Sequence, residues 1–170
     1  MPEDLNYKPK NPNFQIICNK NNYKDNNNSQ IKSNLDFNYL TPLNEPVPND
    51  WITIEDNFSF FLIINLPFLA SDLFVTPDSK NDDGIMYLVF IRDDVSRFEI
   101  LKGFTDGSSG NFLKNPCIEF VRCKAFRLEP MKCLQTNKVE GTLMVDGELI
   151  EYGPIQGEIK PKLARVLLNK

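Results

Sequence analysis

Short apolar runs, each bounded by Pro, Asp, Asn or Gly, constrain this chain more than any other feature. Trp51-Ile-Thr-Ile54, Phe58-Ser-Phe-Phe-Leu-Ile-Ile64 and Ile85-Met-Tyr-Leu-Val-Phe-Ile91 are rich in β-branched and aromatic residues and too short for buried helices. Cys117 to Leu128, Val139 to Val145, Glu148 to Tyr152 and Ile155 to Ile159 continue the series at roughly ten-residue spacing. That rhythm predicts a mainly β fold, an antiparallel β-sandwich with one or two short helices. The near-continuous apolarity of the runs around Phe61 and Val89 requires burial on both faces, or a core on one face and a ligand or partner on the other.

One segment breaks the β pattern. Val95-Ser-Arg-Phe-Glu-Ile-Leu-Lys-Gly-Phe104 predicts a helix, with Ser96 as N-cap, Glu99 completing a capping box and a Val95–Ile100 staple. Phe98, Leu101 and Phe104 or Thr105 fall on one stripe at helical spacing, with Ile100 beside it, and are expected to face the core. Asp106-Gly-Ser-Ser-Gly110 ends the helix. A second short turn is expected over Leu69–Phe74, and Pro161–Leu168 reads as a helix or a terminal strand.

Composition shifts near residue 35. Ten of the first 34 residues are Asn, and a tract of this kind buries too little apolar surface to offset its ordering entropy. Residues 1–34 are therefore expected to be a largely disordered head or insertion, and 35–170 the folded domain. The head carries a net charge of +2 and the remainder −6. An acidic body lacks the basic stripe that a nucleic-acid partner requires. The four cysteines include no Cys-x-x-Cys pair and His is absent, so no zinc site is expected. With no secretory signal at Met1–Leu5, reduced thiols and a cytoplasmic location are expected. The longest apolar run, Phe58 to Leu69, has 12 residues interrupted by Asn65 and Pro67, short of the roughly 20 needed to cross a bilayer.

Asp146-Gly147 between apolar runs is a hairpin signal in its own right, because a type I′ turn needs positive φ at both central residues. A hairpin tip can also present carboxylates, Asp146 and Glu148, to a metal or nucleotide. Taken with Pro42-Leu-Asn-Glu-Pro-Val-Pro48, Ala125-Phe-Arg-Leu-Glu-Pro130 and Tyr152-Gly-Pro-Ile-Gln-Gly157, in one order from about Leu40 to Leu167, this segment resembles the C-terminal domain of sphingosine kinases, members of the diacylglycerol-kinase-like lipid kinases.

The resemblance implies a domain that binds one alkyl chain in a narrow tunnel, partly roofed by a short gate helix. Phe60, Leu62, Leu69, Leu73, Ile100, Phe104 and Phe112 match tunnel-lining positions. Asp146, Gly147 and Glu148 match the nucleotide edge, with Asp146 toward Mg²⁺ directly or through water. The implied cofactors are ATP and Mg²⁺, and the implied partners are a sphingosine-like single-chain lipid and an N-terminal kinase domain. Peripheral contact with membranes is a further option. The family's Gly-rich phosphate loops, general base and amine-recognising acid belong to its N-terminal half and have no match here, so the chain is expected to be catalytically incomplete. A ceramide or diacylglycerol kinase-like domain and a non-catalytic lipid-binding regulatory module remain open as alternatives. Gly103 stands where the family commonly has a large apolar residue, which implies a looser gate. Phe112 stands where a vertebrate relative has an ionisable residue, which implies a drier or shorter tunnel end.

Overall fold

The computed structural model describes residues 14–20, 39–131 and 141–163. Among these residues, ten strands occur in order: β1 Phe14–Lys20, β2 Trp51–Asp56, β3 Phe58–Ile64, β4 Phe68–Ala70, β5 Leu73–Phe74, β6 Met86–Arg92, β7 Glu119–Pro130, β8 Leu143–Val145, β9 Glu148–Ile150 and β10 Ile155–Glu158. The helix α1 (Arg97–Asp106) and 3-10 turns at Gly107–Ser109 and Phe112–Lys114 lie between β6 and β7. All strand pairing is antiparallel. The main sheet has the order β2-β1-β7-β6-β3, with β10 also paired to β7; β4-β5 and β8-β9 form separate hairpins. The fold is mainly β and sandwich-like.

The two ends of this sheet, β2 and β3, are separated in the chain by Asn57 alone. The chain bends at that residue and the sheet curls until one face closes on itself. Ile16, Cys18, Phe58, Met86, Leu88, Phe90, Cys123, Phe126 and Leu128 pack inside the curl. At the bend, the buried carboxylate of Asp56 accepts the Asn57 amide at 2.8 Å and pairs with Arg92. The Arg92 guanidinium also holds Glu119, with its Nε donating to Glu119 Oε1 at 2.5 Å. One cation thus joins the ends of β2, β6 and β7.

Strand β6 shows why the apolar runs are continuous. Period-two geometry sends Met86, Leu88 and Phe90 into the curl and Tyr87, Val89 and Ile91 to the opposite face, where a second core forms. Strand β3 divides likewise, with Phe61 and Ile63 inward and Phe60, Leu62 and Ile64 outward. A register irregularity between Phe58 and Phe60 places Phe58 on the inner side.

The capping box of α1 is present: Glu99 N–H donates to Ser96 Oγ at 3.3 Å and Ser96 N–H to Glu99 Oε2 at 3.1 Å. Val95 and Ile100 both pack into the second core, as a staple requires.

The expected core stripe of α1 is corrected. Phe98 and Leu101 are 77% and 63% exposed, and the face turned to the protein is Ile100, Gly103 and Phe104. Both stripes have helical spacing, and the inward one is the one that fits against Ile118 and Phe112.

Three other expectations change. Leu69–Phe74 is not a helical turn; it lies within the β4-β5 hairpin, fastened by Phe68 stacked on Phe74 at 4.5 Å. Phe14–Lys20 does not belong to a disordered head, since β1 lies between β2 and β7 and buries Ile16 and Cys18 completely. The rest of the expected head, and Ala164–Lys170, lie outside the described residues; Pro161–Leu163 form neither helix nor strand. Cys18 and Cys123 are buried in the first core outside any disulfide, and burial pushes the Cys123 thiol far up, so both act as packing groups. Among the described residues, no helix is long and apolar enough to cross a membrane.

Candidate functional site

Phe60, Leu62, Leu73, Ile100, Phe104 and Phe112 come from two strands, the helix and a 3-10 turn, and all join the second core. The ring of Phe104 lies 5.4 Å from that of Phe60 and 5.5 Å from that of Phe112, which is wholly buried. These six residues form one packed apolar layer beneath α1, continued by Val75, Tyr87, Val89, Ile91 and Ile118. Leu69 does not join them. It sits on β4, 44% exposed, outside the second core.

Gly103 is buried on the underside of the helix. A Cβ there would lie 3.2 Å from Ile118 Cδ1 and 3.4 Å from Asn115 Nδ2, so the small residue lets α1 settle against the Asn115–Ile118 turn. Beside the helix opens a cleft of about 500 Å³ lined by Glu99, Lys102, Asn111, Lys114, Asn115, Pro116 and Cys117, which sequence reasoning did not find. Burial pushes the Cys117 thiol up, so it stays protonated at neutral pH and is a poor nucleophile.

Asp146 and Gly147 are the two residues of the β8-β9 turn, with φ of 50° and 87°, the signs of a type I′ turn. Asp146, Gly147 and Glu148 are exposed, and nothing lies within 4 Å of a Cβ built on Gly147. The tip is open to an incoming group. Leu143, at the base of the hairpin, packs on the first core, whereas the apolar candidates lie on the second. The described residues therefore keep the two candidate regions apart, with the β3-β6 portion of the sheet between the cores.

Arg127 joins three of the recurrent sequence motifs in space. It is 3% exposed; its Nε donates to Gln156 Oε1 at 3.0 Å, Nη1 to the Glu45 carbonyl at 2.7 Å, and Nη2 to the carbonyls of Thr41 at 3.0 Å and Pro42 at 3.1 Å. Gln156 Nε2 also donates to the Thr41 carbonyl at 3.0 Å, and Glu158 Oε2 accepts the Tyr39 amide at 2.9 Å. A buried guanidinium with this many oxygen acceptors shapes a loop. Only the arrangement of β7 and β10 reveals it, since the partners lie 29 to 86 positions away.

Residues 54–168 match the family model described as the YegS C-terminal NAD kinase beta sandwich-like domain. The chain belongs to that family. Among curated relatives, it is 35% identical to human sphingosine kinase 2 over 130 residues, covering 75% of this chain and 19% of that protein. Mouse sphingosine kinase 1 is 34% identical over 126 residues, 72% of this chain and 31% of the relative. Sphingoid long chain base kinase 5 of Saccharomyces cerevisiae is 30% identical over 152 residues, 85% and 21% respectively. The chain thus spans between about a fifth and a third of these relatives. Membership of this beta sandwich-like family agrees with the curled antiparallel sheet, and similarity to sphingosine kinases agrees with the motif resemblance.

Proposed function

We propose that this chain is the lipid-binding β-sandwich part of a sphingosine kinase-like enzyme, accepting a single-chain sphingoid base whose primary hydroxyl is phosphorylated from ATP. One observation carries this reading: six apolar residues, distant in sequence, converge in one layer beneath α1, in a chain similar to kinases of sphingosine and of sphingoid long chain bases. An alkyl chain of about 18 carbons, at about 0.8 kcal/mol per CH₂, gains on the order of 10 kcal/mol before ordering costs. Because Phe104 packs directly on both Phe60 and Phe112, admission of the alkyl chain requires α1 to shift.

The β8-β9 tip is the proposed nucleotide edge. Among the described residues no three His, Cys, Asp or Glu side chains converge on a metal-sized site. An exposed carboxylate with open space around it nonetheless suits Mg²⁺, which binds through one or two carboxylates and takes its other ligands from phosphates and water. Asp146 would hold the ion, and Glu148 with the Gly147 backbone would face the nucleotide. When bound, Mg²⁺ neutralises charge on the transferring phosphoryl group. The groups of this chain position and hold; deprotonation of the lipid hydroxyl belongs to a catalytic N-terminal half.

The test has two parts. Thermal unfolding with sphingosine, ceramide and diacylglycerol should show stabilisation by sphingosine above the two-chain lipids, and none by any of them would remove the lipid reading. Purified chain with Mg-ATP should give no phosphorylated sphingosine, whereas turnover by the chain alone would overturn its assignment as an incomplete enzyme.

A further inference from the structure

Asp-Gly is prone to a backbone rearrangement, because the Asp carboxyl can close a five-membered imide onto the next amide nitrogen and glycine carries no side chain to obstruct it. The chain contains three such pairs, Asp83-Gly84, Asp106-Gly107 and Asp146-Gly147. The fold shields two of them. The Asp83 carboxylate accepts the amides of Lys80 and Ile85, each at 2.9 Å, and Gly84 is buried against Pro161. Asp106 is the last residue of α1, and Gly107 after it is buried against Leu73 with its N–H donated to the Phe104 carbonyl.

Asp146-Gly147 differs on each count. Both residues are exposed, nothing lies within 4 Å of a Cβ built on Gly147, and among the described residues no group hydrogen-bonds the Asp146 carboxylate or the Gly147 amide. Asp146 also sits at φ 50°, an unfavourable conformation for an L-residue that leaving the turn relieves. Strands β8 and β9 have three residues each and, among the described residues, pair only with one another, so the tip can open without disturbing the main sheet.

We infer that Asp146 is a modification site, where the native β8-β9 tip isomerises to isoaspartate. The Gly147 nitrogen attacks Asp146 Cγ, its proton and the carboxyl hydroxyl leave as water, and an imide ring closes. Water then reopens the ring. Cleavage of the bond from nitrogen to Cγ restores Asp; cleavage of the bond from nitrogen to the main-chain carbonyl carbon leaves isoaspartate, with the peptide routed through Cγ and the former main-chain carbonyl now the free carboxylate. The backbone gains a methylene, so a two-residue turn no longer presents the carboxylate as Asp146 does. The chemistry depends on the turn alone, and its consequence for Mg²⁺ and nucleotide rests on the proposed function of the tip.

The experiment is prolonged incubation of the purified chain in neutral buffer, folded and in urea. Isoaspartate is located by peptide mapping with electron-transfer fragmentation and counted by a protein isoaspartyl methyltransferase with labelled S-adenosylmethionine. In the folded chain it is expected at Asp146 severalfold ahead of Asp83 and Asp106, and in urea the three pairs should react at similar rates. Asp146→Asn, which closes the same ring with loss of ammonia, a better leaving group, should accumulate isoaspartate at this position faster than the parent at an unchanged melting temperature. Absence of isoaspartate at Asp146 in the folded chain overturns the inference, whatever the unfolded chain shows. So does folded-state modification of Asp83 or Asp106 that keeps pace with Asp146, or an Asp146→Asn variant no faster than the parent. Isoaspartate at Asp146 in a chain that shows no stabilisation by sphingosine upholds the modification and counts only against the lipid reading.

Discussion

The ring of Phe104 stands at 89° to the ring of Phe60 with their centroids 5.4 Å apart, so an edge-to-face aromatic contact holds α1 to β3. Phe112 meets Phe104 from its other side at 5.5 Å. Phe104→Ala removes both contacts and is expected to cost about 3 kcal/mol in urea unfolding. It should also abolish the sphingosine-dependent rise in melting temperature, whereas Leu69→Ala, on an exposed strand outside the layer, should leave that rise intact. Loss of the rise in both variants, or in neither, would separate Phe104 from lipid binding.

Gly103 decides how closely the helix sits. Gly103→Ala gains helix propensity of about 1 kcal/mol and meets Ile118 at 3.2 Å, so its stability should stay close to that of the parent. Gly103→Leu must displace Asn115 and Ile118 and is expected to destabilise by about 1–3 kcal/mol. Chemical denaturation of the two variants checks this, and a leucine variant as stable as the parent would show that the turn yields freely.

Arg127 donates from three nitrogens to the 41–45 loop and to Gln156. Arg127→Met strands the Glu45 carbonyl and leaves those of Thr41 and Pro42 with the Gln156 side chain and the Glu45 amide as their remaining donors, with an expected cost on the order of 3 kcal/mol and faster amide exchange across 39–46. Arg127→Lys should fall between, since an ammonium has three donors and lacks the planar fork. Unchanged exchange in the methionine variant would mean that the two prolines hold the loop unaided.

At the hairpin tip, Asp146→Asn should preserve the fold, since Asn-Gly also makes a type I′ turn, while β-branched Asp146→Val should lose about 1 kcal/mol or more at φ 50°. In a chain joined to a sphingosine kinase N-terminal half, Asp146→Asn should impair Mg-ATP use far more than lipid binding. Equal Mg-ATP kinetics for Asp146→Asn and parent would leave Asp146 as a turn residue alone.

Glu158 links the loop clasp to pH. Burial raises its pKa, but the Lys160 side chain and the Tyr39 amide outweigh this and hold it below the ordinary 4.5. The folded state therefore favours the charged form. Its contribution to stability is complete above the unfolded value and is lost as pH falls below it through the folded value. The stability gap between parent and Glu158→Gln should be widest near neutrality and shrink below 4.5. A gap that stays constant or widens on acidification would show that the carboxylate is not the stabilising form.

Much of this architecture was legible because it follows from neighbours in the chain. The β3 and β6 runs, the Ser96–Glu99 box and the Asp146–Gly147 turn depend on period, capping and backbone φ within a few residues, and each forms where those local rules place it. Six of the seven apolar candidates came together because the resemblance carried information about a whole fold, which propensity alone lacks. Phe14-Gln-Ile-Ile-Cys18 offered a strand signal, but the surrounding Asn residues masked it in any averaged reading of composition.

The sequence by itself determined that the long apolar runs of β3, β6 and β7 become strands, where the helix starts and how the hairpin turns, since hydrogen bonds and dihedral preferences within a turn or two settle those choices. Only the tertiary structure decided which stripe of α1 faces inward, that β1 lies between β2 and β7, that Leu69 stays outside the apolar layer and that Arg127 binds a loop more than 80 residues away. Two stripes of equal spacing and similar hydropathy are locally equivalent. The tie breaks only when Ile118, Phe112 and the glycine at 103 give one of them a surface to close against, and that surface exists only once distant strands have paired.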